Sequence, residues 1–186
     1  MPAPAQTSMT AVVAAGRRIL EQEGLDGLTM QRVATAVGVR APSLYKRVAD
    51  RGDLIRLILE DVARELTDDL DTAATSGEPR QDLRALATAF RGFAHARPAA
   101  YALLFAPHTA GGPRQGTIER SSDAVLRTAA ALAGAGSALP AARTVVAWAH
   151  GFVTMELAGA FRLGGDVDEA WEFGLRRLTH ALESSD

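Results

Sequence analysis

The sequence predicts an all-α fold of about nine helices, and three observations carry that reading. Apolar residues recur at spacings of three and four along most of the chain, the period of a helix face. Strand signals are nearly absent: β-branched runs are few, alternating segments are missing, and no Asn-Gly or Asp-Gly hairpin turn stands between apolar strand runs. Glycine and proline fall mainly between the periodic segments, where they punctuate rather than interrupt. At 186 residues, 47% hydrophobic and 23% charged, the chain has the usage of a folded globular protein and is long enough for a sizeable core.

The elements follow in order. A first helix fits residues 11–23, with Val12, Ala15, Ile19 and Gln22 on one line and Gly24 as its stop. Thr29 caps a short helix in which Met30, Val33, Ala34 and Val37 share a face, and Gly38 ends it. After Val39 a second short helix takes Pro42 in its first turn and carries Leu44, Tyr45 and Val48. Asp50 caps a long fourth helix over 51–73, striped by Ile55, Ile58, Leu59, Val62, Leu66 and Leu70. DTAATSGEPR (71–80) reads as a loop that leads through Pro79 into a helix bearing Leu83, Leu86, Ala87, Phe90, Ala94 and Arg97, which Pro98 interrupts before the apolar segment AAYALLFA.

PHTAGGPRQGT (107–117) is the clearest long loop. A helix near 118–133, the link GAGSALP and a helix over about 140–163 follow, the last closed by Gly164 and Gly165. Its apolar residues point several ways and need cover on more than one side. Asp166 and Glu169 have capping-box spacing ahead of a final helix whose stripe is Trp171, Gly174, Leu175, Leu178 and Leu182.

Composition narrows the function. With no cysteine, disulfides, thiolate zinc sites and a cysteine nucleophile are excluded. No stretch approaches eighteen uncharged apolar residues and MPAPAQTSMT lacks the pattern of a signal peptide, so a cytoplasmic protein without membrane association is expected. His95, His108, His150 and His180 stand far apart, no HExxH pair or phosphate loop exists, and neither an enzyme nor a metal or cofactor is expected. Residues 1–56 carry eight Lys/Arg against five Asp/Glu, so the basic part of a chain of net charge −2 is its first quarter, a modest sign of a polyanionic partner.

LTMQRVATAVGVRAPSLYKRVADRGDL (28–54) resembles the helix-turn-helix of the tetracycline-repressor (TetR/AcrR) family of bacterial regulators. The matching features are Gly24 closing the first helix, Thr29 opening the second, Val33-Ala34, the Gly38-Val39 turn, Leu44-Tyr45, and Leu54 after an acidic residue. Physically, two short helices joined by a glycine turn cross steeply and free the start of the second to enter a DNA major groove. There Arg40 is the expected base reader, because a guanidinium bonds guanine O6 and N7 together; Ser43 is a second reader, and Ala41 suits a thymine methyl. The resemblance places Thr29, Tyr45, Lys46 and Arg51 on phosphates. Tyr45 also suits a packing aromatic, and Arg40 a solvated cation. Val48 stands where many members carry Phe, and Arg51-Gly52 replaces the usual Lys-Glu.

FRGFAHARPAAYALLFAP (90–107) and WAHGFV (148–153) resemble the WHG-type C-terminal domain of one branch of the family, through Trp148, His150 and Gly151. The resemblance implies a DNA-binding domain over 1–52 and a ligand-binding and dimerisation domain over 53–186. Phe90, Phe93, Tyr101, Phe105, Trp148, Phe152 and Met155 are candidates to line an apolar cavity, with His95, His150 and Glu156 to orient a guest; the same residues also suit a filled core. Gly151, Ala158, Gly159, Trp171, Leu175, Leu178 and Leu182 are the expected homodimer contacts on the last two helices. The function expected is a repressor released from palindromic double-stranded operator DNA by an apolar small-molecule effector. A ligand-independent regulator or an activator of the same fold shares every one of these motifs.

Overall fold

The computed structural model describes residues 8–106 and 123–183, and the expected loop 107–117 and the start of the helix after it lie outside them. The described residues form nine α-helices, a single 3-10 turn and no strand. They gather into two compact units. One takes the chain up to Arg64 and resumes at Arg97; the other takes Glu65–Ala96 and the described chain from Asp123 onward. The expected division between residues 52 and 53 is therefore not where compactness divides the chain.

The first unit holds α1 (Met9–Gly27), α2 (Met30–Ala36), α3 (Ala41–Tyr45), the first part of α4 (Arg51–Ala73) and α6 (Pro98–Phe105). Ser8 starts α1 by accepting the N–H of Ala11 at 3.1 Å. Val12, Ala15, Ile19 and Leu20 form its buried face, and Gly24, at φ 71°, turns the chain before a last turn that reaches Gly27. α2 and α3 are both too short to be stable alone; each is held by one row of core residues. These are Met30, Val33 and Ala34 in α2 and Leu44 in α3, joined by Leu28, Val48, Leu54 and Ile58. Val48 is fully buried and fills the position where Phe is usual. Gly16 brings α1 close to α4, because a Cβ there would stand 2.7 Å from Cδ1 of Ile58. Arg17 on α1 also pairs with Asp61 on α4 at 2.8 Å.

α6 joins this unit through Glu21. Its carboxylate accepts the N–H groups of Ala99 at 3.1 Å and Ala100 at 2.8 Å, two otherwise orphaned donors of the α6 first turn. Pro98 supplies the third first-turn residue, which has no N–H to satisfy.

The second unit holds the rest of α4 with α5 (Pro79–Ala96), α7 (Asp123–Ala133), α8 (Ala138–Leu157) and α9 (Val167–Glu183). α5 buries Leu83, Leu86, Ala87, Phe90 and Ala94 of the stripe read from its periodicity and Phe93 besides, while Arg97 lies past its end as the N-cap of α6. α7 and α8 pack through alanines, Ala129 against Ala141 and Ala142, with Leu126 and Leu182 at the edge. α8 departs from the expected 140–163 at both ends. It begins two residues earlier, after the turn Ala135–Ser137, and stops at Leu157. Gly159 at φ 61° is the reason: its N–H reaches the Glu156 carbonyl and that of Ala160 the Met155 carbonyl, both at 2.9 Å, closing the helix with a left-handed cap. Ala158 and Gly159 thus lie past the helix rather than on its face.

Candidate nucleic-acid interface and the polar core of the second unit

Local sequence builds the helix-turn-helix. Thr29 Oγ1 accepts the N–H of Arg32 at 3.3 Å and fixes the start of α2. At the turn, Gly38 adopts φ 73°, its N–H reaching the Thr35 carbonyl at 3.1 Å while that of Val39 reaches the Ala34 carbonyl at 2.9 Å. An L side chain is strained in that conformation, so glycine sets the angle at which α3 leaves α2. Arg40, extended, is the N-cap of α3, and Pro42 lies in its first turn.

α3 buries Leu44 alone and leaves Arg40, Ser43, Tyr45 and Lys46 in solvent around a half-buried Ala41. Tyr45 is 52% exposed, so it is not a packing aromatic. Three other cations of this unit pair with neighbours: Arg32 with Glu23, Arg17 with Asp61, and Arg56 with Asp53 at 2.5 Å and Glu60 at 2.8 Å. The Arg56 guanidinium in turn holds the Asp53 carboxyl below its ordinary value. Among the described residues, neither Arg40 nor Lys46 forms an ion pair. Arg40 and Lys46 on and beside α3, like the exposed Arg18 of α1, thus remain as charge that ion pairing does not take up. The Arg51 guanidinium donates to the backbone carbonyls of Leu28 at 2.8 Å and Leu25 at 2.6 Å.

The expected ligand residues are distributed over both units. Tyr101 and Phe105 belong to the first unit, where Tyr101 is buried and Phe105 exposed. In the second unit Phe90 and Phe93 are buried on α5, and Trp148 and Phe152 join Trp171 and Phe161 in an aromatic cluster. The two indoles stack at 4.7 Å, which Gly174 permits: a Cβ there would stand 2.6 Å from Cζ2 of Trp148. Met155 is 47% exposed and does not contribute to this core. Burial pushes the half-buried His150 imidazole below its ordinary value and favours the neutral ring.

Glu156 is not a free polar group awaiting a guest. Arg91 grips it at 2.5 and 2.9 Å, His95 Nε2 lies 3.0 Å away, and Arg91 also reaches Asp168 at 2.6 Å with its guanidinium over the Trp171 ring. The hydrogen bond from Arg91 holds the Glu156 carboxyl below its usual range against the opposing effect of burial. With its side chain 14% exposed against 76% for Asp168, Glu156 is the partner water screens less. Sequence reading missed Arg91 and Asp168, because Arg91 lies 65 residues from Glu156 and 77 from Asp168 and no local pattern announces either pairing. An open groove of about 450 Å³ runs along α5 and α9, lined by Arg80, Arg84, Leu175, Arg176, Thr179 and Glu183 and by none of the expected ligand residues.

Of the expected dimer contacts, Trp171 is 2% exposed and buried inside its own unit with Leu175; Leu178 and Leu182 are half-buried, and Gly151, Ala158 and Gly159 are exposed. Trp171 and Leu175 of the α9 stripe thus serve the core of their own unit.

Residues 12–57 match the family model of bacterial regulatory proteins, tetR family, and residues 83–178 that of the tetracyclin repressor-like C-terminal domain. The HTH-type transcriptional regulator Rv0681 of Mycobacterium tuberculosis is 30% identical over 97% of this chain and 84% of its own. A solved protein of Rhodococcus sp. RHA1 superposes at TM-score 0.82 with 26% identity, covering 97% of this chain and 99% of that one. A TetR variant of Acinetobacter baumannii AYE in complex with minocycline shares the fold at TM-score 0.70 and 22% identity, covering 95% of this chain and 96% of its own. The chain belongs to the TetR family of helix-turn-helix transcriptional regulators.

Proposed function

We propose that the protein is a homodimeric repressor that holds a near-palindromic operator through α3 and releases it when a largely apolar small molecule binds the second unit. The observation that carries the DNA part is the exposed row Arg40, Ser43, Tyr45 and Lys46 on a helix anchored only by Leu44. A cation at the N-cap of such a helix meets guanine edges when the helix start enters the groove, whereas Lys46 and Tyr45 suit the flanking phosphates. Arg40→Ala is expected to cost about 1–3 kcal/mol of discrimination between sequences. Lys46→Ala is expected to weaken operator and random duplex alike and to flatten the salt dependence by about one phosphate contact. Titration of both variants on a duplex that the wild type selects from a random pool tests the assignment; if both bind like wild type, α3 is not the reading helix.

The dimer reading is supported by apolar side chains that the protomer leaves in water on α8 and α9: Leu139, Val146, Met155, Leu157 and Phe173. Sedimentation at micromolar concentration should show two protomers. A two-fold pair presents its recognition helices about 34–36 Å apart, or a multiple of it, and so selects a near-palindrome. The effector reading draws on the minocycline bound by the Acinetobacter relative and on the aromatic cluster with a neutral His150. A ligand shifts the population only if it prefers the conformation with the wrong helix spacing. α4, unbroken from Arg51 to Ala73, is the lever for that shift.

Dense filling favours a second reading, a ligand-independent regulator. Phe93, Val153 and Trp171 are buried with hardly any exposure, and Glu156 is already partnered. A thermal-shift screen with minocycline and other fused-ring compounds separates the two: a raised midpoint together with duplex release supports the sensor, and no shift supports the ligand-independent form.

A further inference from the structure

We propose that Arg51 is a positioning residue of the DNA-reading motif and not a phosphate contact, an assignment that rests on the reading of α3 as the DNA grip. A cation just after the helix-turn-helix is expected on the DNA backbone. Here the cation is already engaged. Nε donates to the Leu28 carbonyl at 2.8 Å and Nη2 to the Leu25 carbonyl at 2.6 Å, at the end of α1. Those carbonyls lack the partners a continuing helix would supply and lie at its negative end, where a guanidinium is doubly favoured. Leu25 also accepts the N–H of Leu28 at 3.2 Å, so the Arg51 fork clamps a turn that is already closed.

The clamp sits at a junction. Leu28 directly precedes Thr29, the N-cap of α2, and Arg51 is the first residue of α4. That end of α4 is itself fixed: the Asp50 carboxylate accepts the N–H of Asp53 at 2.8 Å, and the Asp53 carboxylate accepts that of Ala49 at 3.1 Å. One side chain therefore ties together the end of α1, the start of α2 and the start of α4. α3 lies on the segment between Thr29 and Asp50, whose two ends the clamp holds together, and its direction is fixed by them. The fork geometry explains why arginine stands here: a lysine ammonium is a point donor that cannot span both carbonyls in one plane.

The test compares wild type, Arg51→Lys and Arg51→Gln on the duplex that wild type enriches from a random-sequence pool and on random duplex, over a salt series well below each protein's Tm. The expected result is that both variants lose about tenfold of the operator-over-random preference, while the dependence of log affinity on log salt keeps its wild-type slope. If Arg51→Gln does not fold, Arg51→Lys alone decides on the same two readouts. A phosphate contact gives the opposite pattern and overturns the assignment: Arg51→Gln weakens both duplexes alike and loses about 0.9 of slope, and Arg51→Lys behaves as wild type. Full preference in both variants with only a lower Tm overturns it too, leaving Arg51 a stabilising strut without influence on reading. A wild type that enriches no sequence sinks the DNA-grip reading, and this assignment with it.

Discussion

Arg91 shows how a single side chain organises the second unit. It joins α5 to the end of α8 and the start of α9 through Glu156 and Asp168 while covering the face of Trp171. Because the Glu156 carboxyl is held below its ordinary value near 4.5 in the folded protein, the stability it contributes is complete above that pH. It is lost as pH falls through the lowered folded value. Glu156→Gln is therefore expected to be less stable than wild type at pH 7 and to lose less on acidification below about pH 4.5, which urea denaturation across the acid range checks. Parallel acid limbs would mean that the pair contributes no pH dependence. Two glycines give a sharper contrast. In α9 a methyl at Gly174 meets the rigid indole of Trp148, so Gly174→Ala is expected to destabilise by about 1–3 kcal/mol despite better helix propensity. Gly92 on α5 has nothing within 4 Å of its would-be Cβ, and Gly92→Ala is expected to stabilise by about 0.5–1 kcal/mol. Thermal or urea unfolding of the pair should move in opposite directions.

Among the elements, those with local stop and start signals were legible in the sequence. Thr29, Gly38 and Asp50 do in the structure what their residue types dictate, because a cap needs only its own neighbours. The end of α8 was not legible: Gly159 sits amid alanines and a phenylalanine that favour helix, and it reads as a smooth packing position until its φ is seen. The α9 stripe announced a buried face but not what covers it, which is why Trp171 and Leu175 were expected against a second copy. Arg51 and Arg91 were illegible for a further reason, since their partners lie 23 or more residues away. Gly38→Ala tests the turn that sets the direction of α3, the proposed recognition helix. Nothing clashes with the added methyl, so the cost is that of the left-handed conformation, about 1–2 kcal/mol, measured by urea unfolding together with weaker operator binding. A loss of stability without any loss of binding would show that α3 keeps its direction by other means.

At the scale of the molecule, the chain passes between its two compact units more than once. Leaving the first within α4, it returns at Arg97 to place α6 beside α1 under the Glu21 carboxylate. Of the positive charge of residues 1–56, ion pairing takes up Arg17, Arg32 and Arg56 and leaves Arg40 and Lys46 available on and beside the exposed face of α3, with Arg18 on α1. The exposed row Arg40, Ser43, Tyr45 and Lys46 on a helix that buries Leu44 is the physical basis for proposing DNA recognition by α3. The most direct test is titration of the wild-type protein into its selected duplex, at two salt concentrations and with random duplex as competitor. A salt-sensitive complex with an even number of protomers, lost selectively by Arg40→Ala, is the result predicted here. Equal binding to selected and random DNA, or selection that survives Arg40→Ala unchanged, would contradict it.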